Sequence, residues 1–179
     1  MQHEHGGPWT EHLVATPASR SDQDAYRSLS AITARTIAVI TTVSRGWDHA
    51  VPVTDFLSVT YDPPTMLVSL YGLSRIAEAV EEAGCWGLSI LETSQRAVVE
   101  RLSMEGGPLD GLLGQTPHYR RAPGEPVVIR GAVAWFQLRT VAQHEAATHQ
   151  LFVGEVTAMG TAAPLDARPL VRTRGAYLR

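Results

Sequence analysis

The chain contains no lysine: all 15 of its basic residues are arginine. This excludes Schiff-base catalysis on lysine and the phosphate-gripping lysine of a P-loop. A bound phosphate must be held by arginine, hydroxyls, backbone amides or a helix terminus. Cysteine is nearly absent too. Cys85 stands alone, so the chain can form neither an intramolecular disulfide nor an all-cysteine metal site. No apolar run approaches the roughly 20 residues of a membrane span, and the N-terminus lacks a signal-peptide core. A soluble, cytoplasmic protein is expected. The net charge of −3 comes with scattered arginines and no basic stripe, which argues against nucleic-acid binding. No nucleophile–base pair, paired-carboxylate motif or metal-ligand cluster is visible. Chemistry without such residues is usually carried by a cofactor.

What is present suits one mainly β domain with helices, of class α+β: 179 residues with 44% hydrophobic content leave room for a real core. Residues 1–21 read as an N-terminal tail or arm and residues 22–179 as the folded domain. The tail's Gln2-His3-Glu4-His5 has no rigid scaffold to make it a metal site, so no metal is expected.

In chain order, Ser21-Asp-Gln-Asp24 opens a short helix to about Ala34, and Arg35 to Val43 is β-branched and reads as the first strand. Ser44 to His49 is a loop turning at Gly46. The next strand, Val51 to Tyr61, is stopped by Asp62-Pro63-Pro64, because successive prolines offer no N–H to a ladder. Met66 to Leu70 is mostly apolar, the pattern of a strand buried on both faces. Ser74 caps a helix with an Ile76, Ala77, Val80, Ala83 stripe and a stop at Gly84. Cys85 to Leu91 is a strand, and Thr93 caps a helix to about Ser103. Met104 to Glu125, bearing glycine and proline, reads as a mobile lid. Pro126 to Arg139 and His149 to Val156 are strands.

The polar residues Thr54, Asp55, Ser58 and Thr60 interrupt a run otherwise fit for a core. They suit either a solvated strand face or the lining of a site for a ligand with polar edges.

The run Thr54-Asp-Phe-Leu-Ser-Val-Thr-Tyr-Asp-Pro-Pro64 resembles the strand that marks the flavin reductase-like family, the FMN-binding split barrels. Further segments resemble that family in its own order. They are Ser74-Arg75 at a helix start, Gly84-Cys-Trp-Gly-Leu-Ser-Ile-Leu91, Pro126-Val-Val-Ile-Arg-Gly-Ala-Val-Ala134, His149-Gln-Leu-Phe-Val-Gly-Glu-Val156 and Pro169-Leu-Val-Arg-Thr-Arg-Gly-Ala-Tyr177. The resemblance implies a split β-barrel of Greek-key, FMN-binding type that works as a homodimer. It implies a reductase that passes a hydride from NADH or NADPH to FMN or FAD, with the reduced flavin going to a partner flavin-dependent monooxygenase. It places Thr54, Asp55, Phe56 and Ser58 along the flavin and Ser74 with Arg75 at its phosphate. His149 is then the catalytic residue, near flavin and nicotinamide. The sequence departs from the family pattern at Pro52, Asp55 and Ala147-Thr148. Those departures leave two other readings open: a flavin-binding protein without reductase turnover, and a split-barrel module for another planar cofactor such as haem or a deazaflavin.

Overall fold

Strand-forming sequence dominates the chain, interrupted by short helices, and the architecture follows from it. The computed structural model describes residues 22–104, 111–164 and 166–178. The expected tail, 1–21, lies outside the described residues, as do 105–110 of the expected lid.

Helix α1 is Gln23–Ser30. Strands β1 (Arg35–Thr36), β2 (Ala38–Ser44), β3 (Trp47–Val53), β4 (Phe56–Tyr61) and β5 (Pro64–Tyr71) precede helix α2 (Arg75–Ala83). Strand β6 (Cys85–Ile90), a 3-10 turn (Thr93–Gln95) and helix α3 (Arg96–Leu102) come next. Strands β7 (His118–Tyr119), β8 (Val128–Ile129), β9 (Ala134–Ala146), β10 (His149–Gly160), β11 (Val171–Thr173) and β12 (Ala176–Tyr177) complete the order. The fold is mainly β with helices, as expected.

Seven strands form one antiparallel sheet in the order β3-β2-β6-β9-β10-β5-β4. Read from the C-terminal side, β10, β9 and β6 lie side by side and β5 returns beside β10, a Greek-key order. The two edges, β3 and β4, are consecutive in sequence, with only Thr54 and Asp55 between them. Laid flat, six strand spacings would part the edges by about 29 Å. Three Cα steps span about 11 Å. The sheet must therefore roll until its edges nearly meet, yet no ladder joins β3 to β4. This is an open, split roll.

Its interior holds Ile40, Val68, Trp86, Leu88, Leu138 and Phe152, joined by Ile76, Ala77 and Val80 of α2. A second cluster packs Ile37 and Val39 against Val98, Val99 and Leu102 of α3, with Val127, Ile129 and Leu170. Strand β2 therefore sends alternate residues into two cores. It is buried on both faces, as is β6, a role the apolar run of β5 had suggested for itself. In β5, Met66, Val68 and Leu70 are buried, whereas Leu67 and Ser69 are only half-buried on the opposite face.

Local chemistry moves other boundaries. The expected strand Arg35 to Val43 breaks at Ile37, whose N–H donates to Leu170 O while its carbonyl accepts from Leu91 N, at 2.9 and 3.0 Å. The turn after β2 is only Arg45 and Gly46, both at positive φ (51° and 78°). Glu92, not Thr93, caps the turn before α3. Its carboxylate accepts from Ser94 N at 2.7 Å, and Gln95 Oε1 accepts from Glu92 N at 2.8 Å, a reciprocal capping box. The strand expected over Pro126 to Arg139 is split at Gly131 (φ 79°) into β8 and β9, and β9 runs on to Ala146.

Candidate functional site

The crossover that ties the two edges of the roll is also the wall of a groove. Thr54, Asp55 and Phe56 line a space of about 480 Å³ together with Arg35, Thr36, Leu57, Leu67 and Ser69, and with Thr33 and Ala34 in the link between α1 and β1. Asp55 O accepts from Ser69 N at 2.9 Å, which extends the β4–β5 register one step beyond Phe56 opposite Val68. The Asp55 carboxylate is ion-paired with Arg35. Phe56 is half-buried and also packs against the interior cluster, so it belongs to core and groove alike. Ser58 sits further along β4, opposite Met66, exposed and outside the groove lining.

Alternation along β5 continues the same face beyond the groove. Leu67, Ser69 and Tyr71 share the face turned away from the interior. On the neighbouring strand the directly paired residues are Val153, Leu151 and His149. His149 therefore stands opposite Tyr71, with their rings 5.9 Å apart and edge-on at 67°. The Thr148 hydroxyl and His149 Nδ1 share a hydrogen bond of 3.1 Å. Gly72 N donates to Thr148 O at 2.9 Å, fastening the end of β5 to the β9–β10 turn.

Three residues past Tyr71 lies Ser74, the N-cap of α2. Its side chain accepts from Ala77 N at 3.3 Å and donates to Tyr71 O at 2.6 Å. The cap, Tyr71 and His149 thus form one corner at the far end of the strand that floors the groove. Arg75, the first residue of α2, turns into a separate cleft of about 180 Å³ between α2 and the β2–β3 hairpin, beside Trp47, His49 and Glu78. There burial pushes the His49 imidazole pKa below its usual value, and the charge of Arg75 acts in the same direction. Glu82, at the rim, is held below the carboxylate range by the Ser44 hydroxyl and Arg45.

Sequence reasoning thus placed three residues of the groove wall and two of the corner. It missed Arg35, Ser69 and Tyr71. The period-2 alternation Leu67, Ser69, Tyr71 could have given the last two. Arg35 carries no motif signal of its own; the β2–β3 hairpin, with Ala38 opposite Val53, sets β1 beside the crossover. Hydroxyls of Thr36, Thr54 and Ser69, one guanidinium and the apolar Phe56, Leu57 and Leu67 suit a flat ring system with polar edges. The corner adds an imidazole and a helix N-terminus.

The chain is similar to several known proteins. The NADH-dependent FMN reductase AsuE2 of Streptomyces nodosus subsp. asukaensis is 32% identical over 149 residues, 79% of this chain and 76% of its own. The NADH-dependent flavin reductase StyB of Pseudomonas fluorescens is 30% identical over 154 residues, 84% of this chain and 85% of its own. Among solved structures, the styrene monooxygenase flavin reductase SMOB from Pseudomonas putida S12 superposes with a TM-score of 0.72 at 30% identity, covering 86% of this chain and 95% of that one. The sequence model of the flavin reductase like domain matches residues 29–179, which takes in the rolled sheet, the groove and the corner. The chain belongs to the flavin reductase-like family.

Proposed function

We propose that the protein is an NAD(P)H:flavin oxidoreductase that passes a hydride from NADH or NADPH to FMN or FAD, supplying reduced flavin to a partner flavin-dependent monooxygenase. One observation carries this reading. The segment most like the family's flavin strand is the crossover at the split of the roll, where Thr54 and Asp55 wall a groove, and the face of β5 that lines it runs on to Tyr71, opposite His149. The donor set fits a flavin. Hydroxyls and a guanidinium can meet the polar edge of an isoalloxazine, and Phe56, Leu57 and Leu67 can meet its apolar body. Bound there, a flavin supplies the hydride acceptor, and the chain supplies binding, orientation and exclusion of water. Ser74 and Arg75, at the N-terminus of α2, would hold the phosphate. His149, with Tyr71 beside it, would orient the nicotinamide. The names of AsuE2, StyB and SMOB support NADH as donor, flavin as acceptor and a monooxygenase as client.

The working form is a homodimer. Edge strand β4 exposes Leu57, Val59 and Tyr61 at 52%, 50% and 89%, an apolar strip that a second copy would cover. The cytoplasm, where reduced nicotinamides are made, is the compartment this chemistry requires. The test is an absorption spectrum of the purified protein, followed by NADH and NADPH oxidation with added FMN, FAD or riboflavin. Nicotinamide oxidation that depends on flavin is expected. Bound flavin without turnover would assign a flavin-binding role instead.

A further inference from the structure

The groove contains a pair of charges that stability does not explain. Arg35 and Asp55 both line it and are ion-paired, with side chains 36% and 57% exposed. So open a pair contributes at most about 1 kcal/mol. Arg35 also faces Arg172 directly across the β1–β11 ladder, where like charges repel. Arg172 lies near the Tyr177 ring, 6.0 Å from its centroid. Arg35 therefore sits where its own ladder disfavours a cation, held at the groove by Asp55. Among the described lining residues it is the groove's single cation, and Asp55 its single anion.

We infer that Arg35 stabilises the negative charge produced when a flavin in this groove is reduced, and that Asp55 limits how strongly it does so. The inference rests on the flavin reductase reading above. Hydride transfer from a nicotinamide delivers two electrons and one proton as a unit. The donor is left as the cationic oxidised nicotinamide, and one negative charge arrives in the groove without any proton from the protein. A fixed guanidinium favours the anionic form of a neighbouring ligand over its neutral form, more strongly where water is partly excluded. The paired carboxylate cancels part of that field. Neutralising the two positions must then act with opposite signs.

Dissociation constants for oxidised FMN and for FMN reduced anaerobically with dithionite, measured above neutral pH on the full chain and two variants, test this. In Arg35→Gln the preference for reduced over oxidised FMN is expected to fall by about tenfold. In Asp55→Asn it is expected to rise severalfold. A preference unchanged in both variants, or shifted the same way in both, overturns the inference. If Arg35→Gln does not fold, Asp55→Asn decides alone: a rise supports the inference, and no change or a fall overturns it. Failure of the unsubstituted chain to bind either form of FMN would instead overturn the flavin reductase reading, and the inference with it. Native binding with an unmoved redox preference in the variants removes only the inference.

Discussion

His149 is fixed by its neighbours rather than by burial. Pairing with Tyr71, the ring contact at 5.9 Å and the bond to the Thr148 hydroxyl hold its imidazole at an exposed strand end. A side chain so oriented suits the placing of a second reactant. In His149→Ala, hydride transfer at saturating NADH, followed by stopped flow, should slow by roughly ten- to a hundredfold, the scale of a mispositioned reactant. Flavin affinity and melting temperature should stay near native. A native rate would make His149 an ordinary surface residue. Arg75 is a different case, because its side chain lines the cleft beside His49 and Glu78 rather than the groove. If it swings to a phosphate on binding, Arg75→Ala should weaken FMN by about tenfold and leave riboflavin, which lacks the phosphate, almost untouched. Equal losses in titrations with both ligands would count against a phosphate contact. The absence of lysine makes this comparison clean, since no neighbouring lysine can substitute.

At the level of elements, Gly154 shows what one family glycine is for. A Cβ built there would lie 2.8 Å from the Trp86 ring and 2.9 Å from Leu138 Cβ. Trp86 is wholly buried in the interior, so the ring cannot retreat to solvent. Gly154→Ala should cost about 1–3 kcal/mol by overpacking and lower the melting temperature by several degrees, as calorimetry would show. Helix α2 was readable in sequence for local reasons: a hydroxyl cap, an apolar stripe and Gly84 at φ 65°. The burial of β5 was misjudged because its composition is mostly apolar, while its environment has two kinds of face. Leu67 looks onto the groove and Leu70 into the core, and residue type alone does not separate two leucines. The cap of the turn before α3 went to Thr93 in sequence because a hydroxyl is the common choice. The reciprocal bond from Gln95 gives it to Glu92. For the site, the crossover and corner residues were legible through motif, but the groove's cation was not. Arg35 is 20 residues from Asp55 in sequence, and it is the β2–β3 hairpin, with Ala38 opposite Val53, that brings the two together.

The whole molecule has two consequences. The first concerns assembly. Leu57, Val59 and Tyr61 lie on a strand whose outer edge has no partner in the seven-stranded order, beside the groove. Sedimentation should give a dimer at micromolar concentration. Val59→Asp should dissociate it and weaken flavin binding together, if the second copy covers the groove mouth. A monomer with native flavin affinity would refute both parts. The second comes from the order in which the strands are made. Strands β2 and β3 and strands β4 and β5 emerge early from the ribosome, but the β9–β10 hairpin that lies between β6 and β5 comes only at residues 134–160. Until then a nascent chain carries two open hydrogen-bonding edges, one on β6 and one on β5, and a groove whose floor strand has no second neighbour. Synthesis halted before Ala134 should leave a chain that aggregates rather than a smaller reductase. The arrival of the β9–β10 hairpin closes the sheet and finishes the site in a single event.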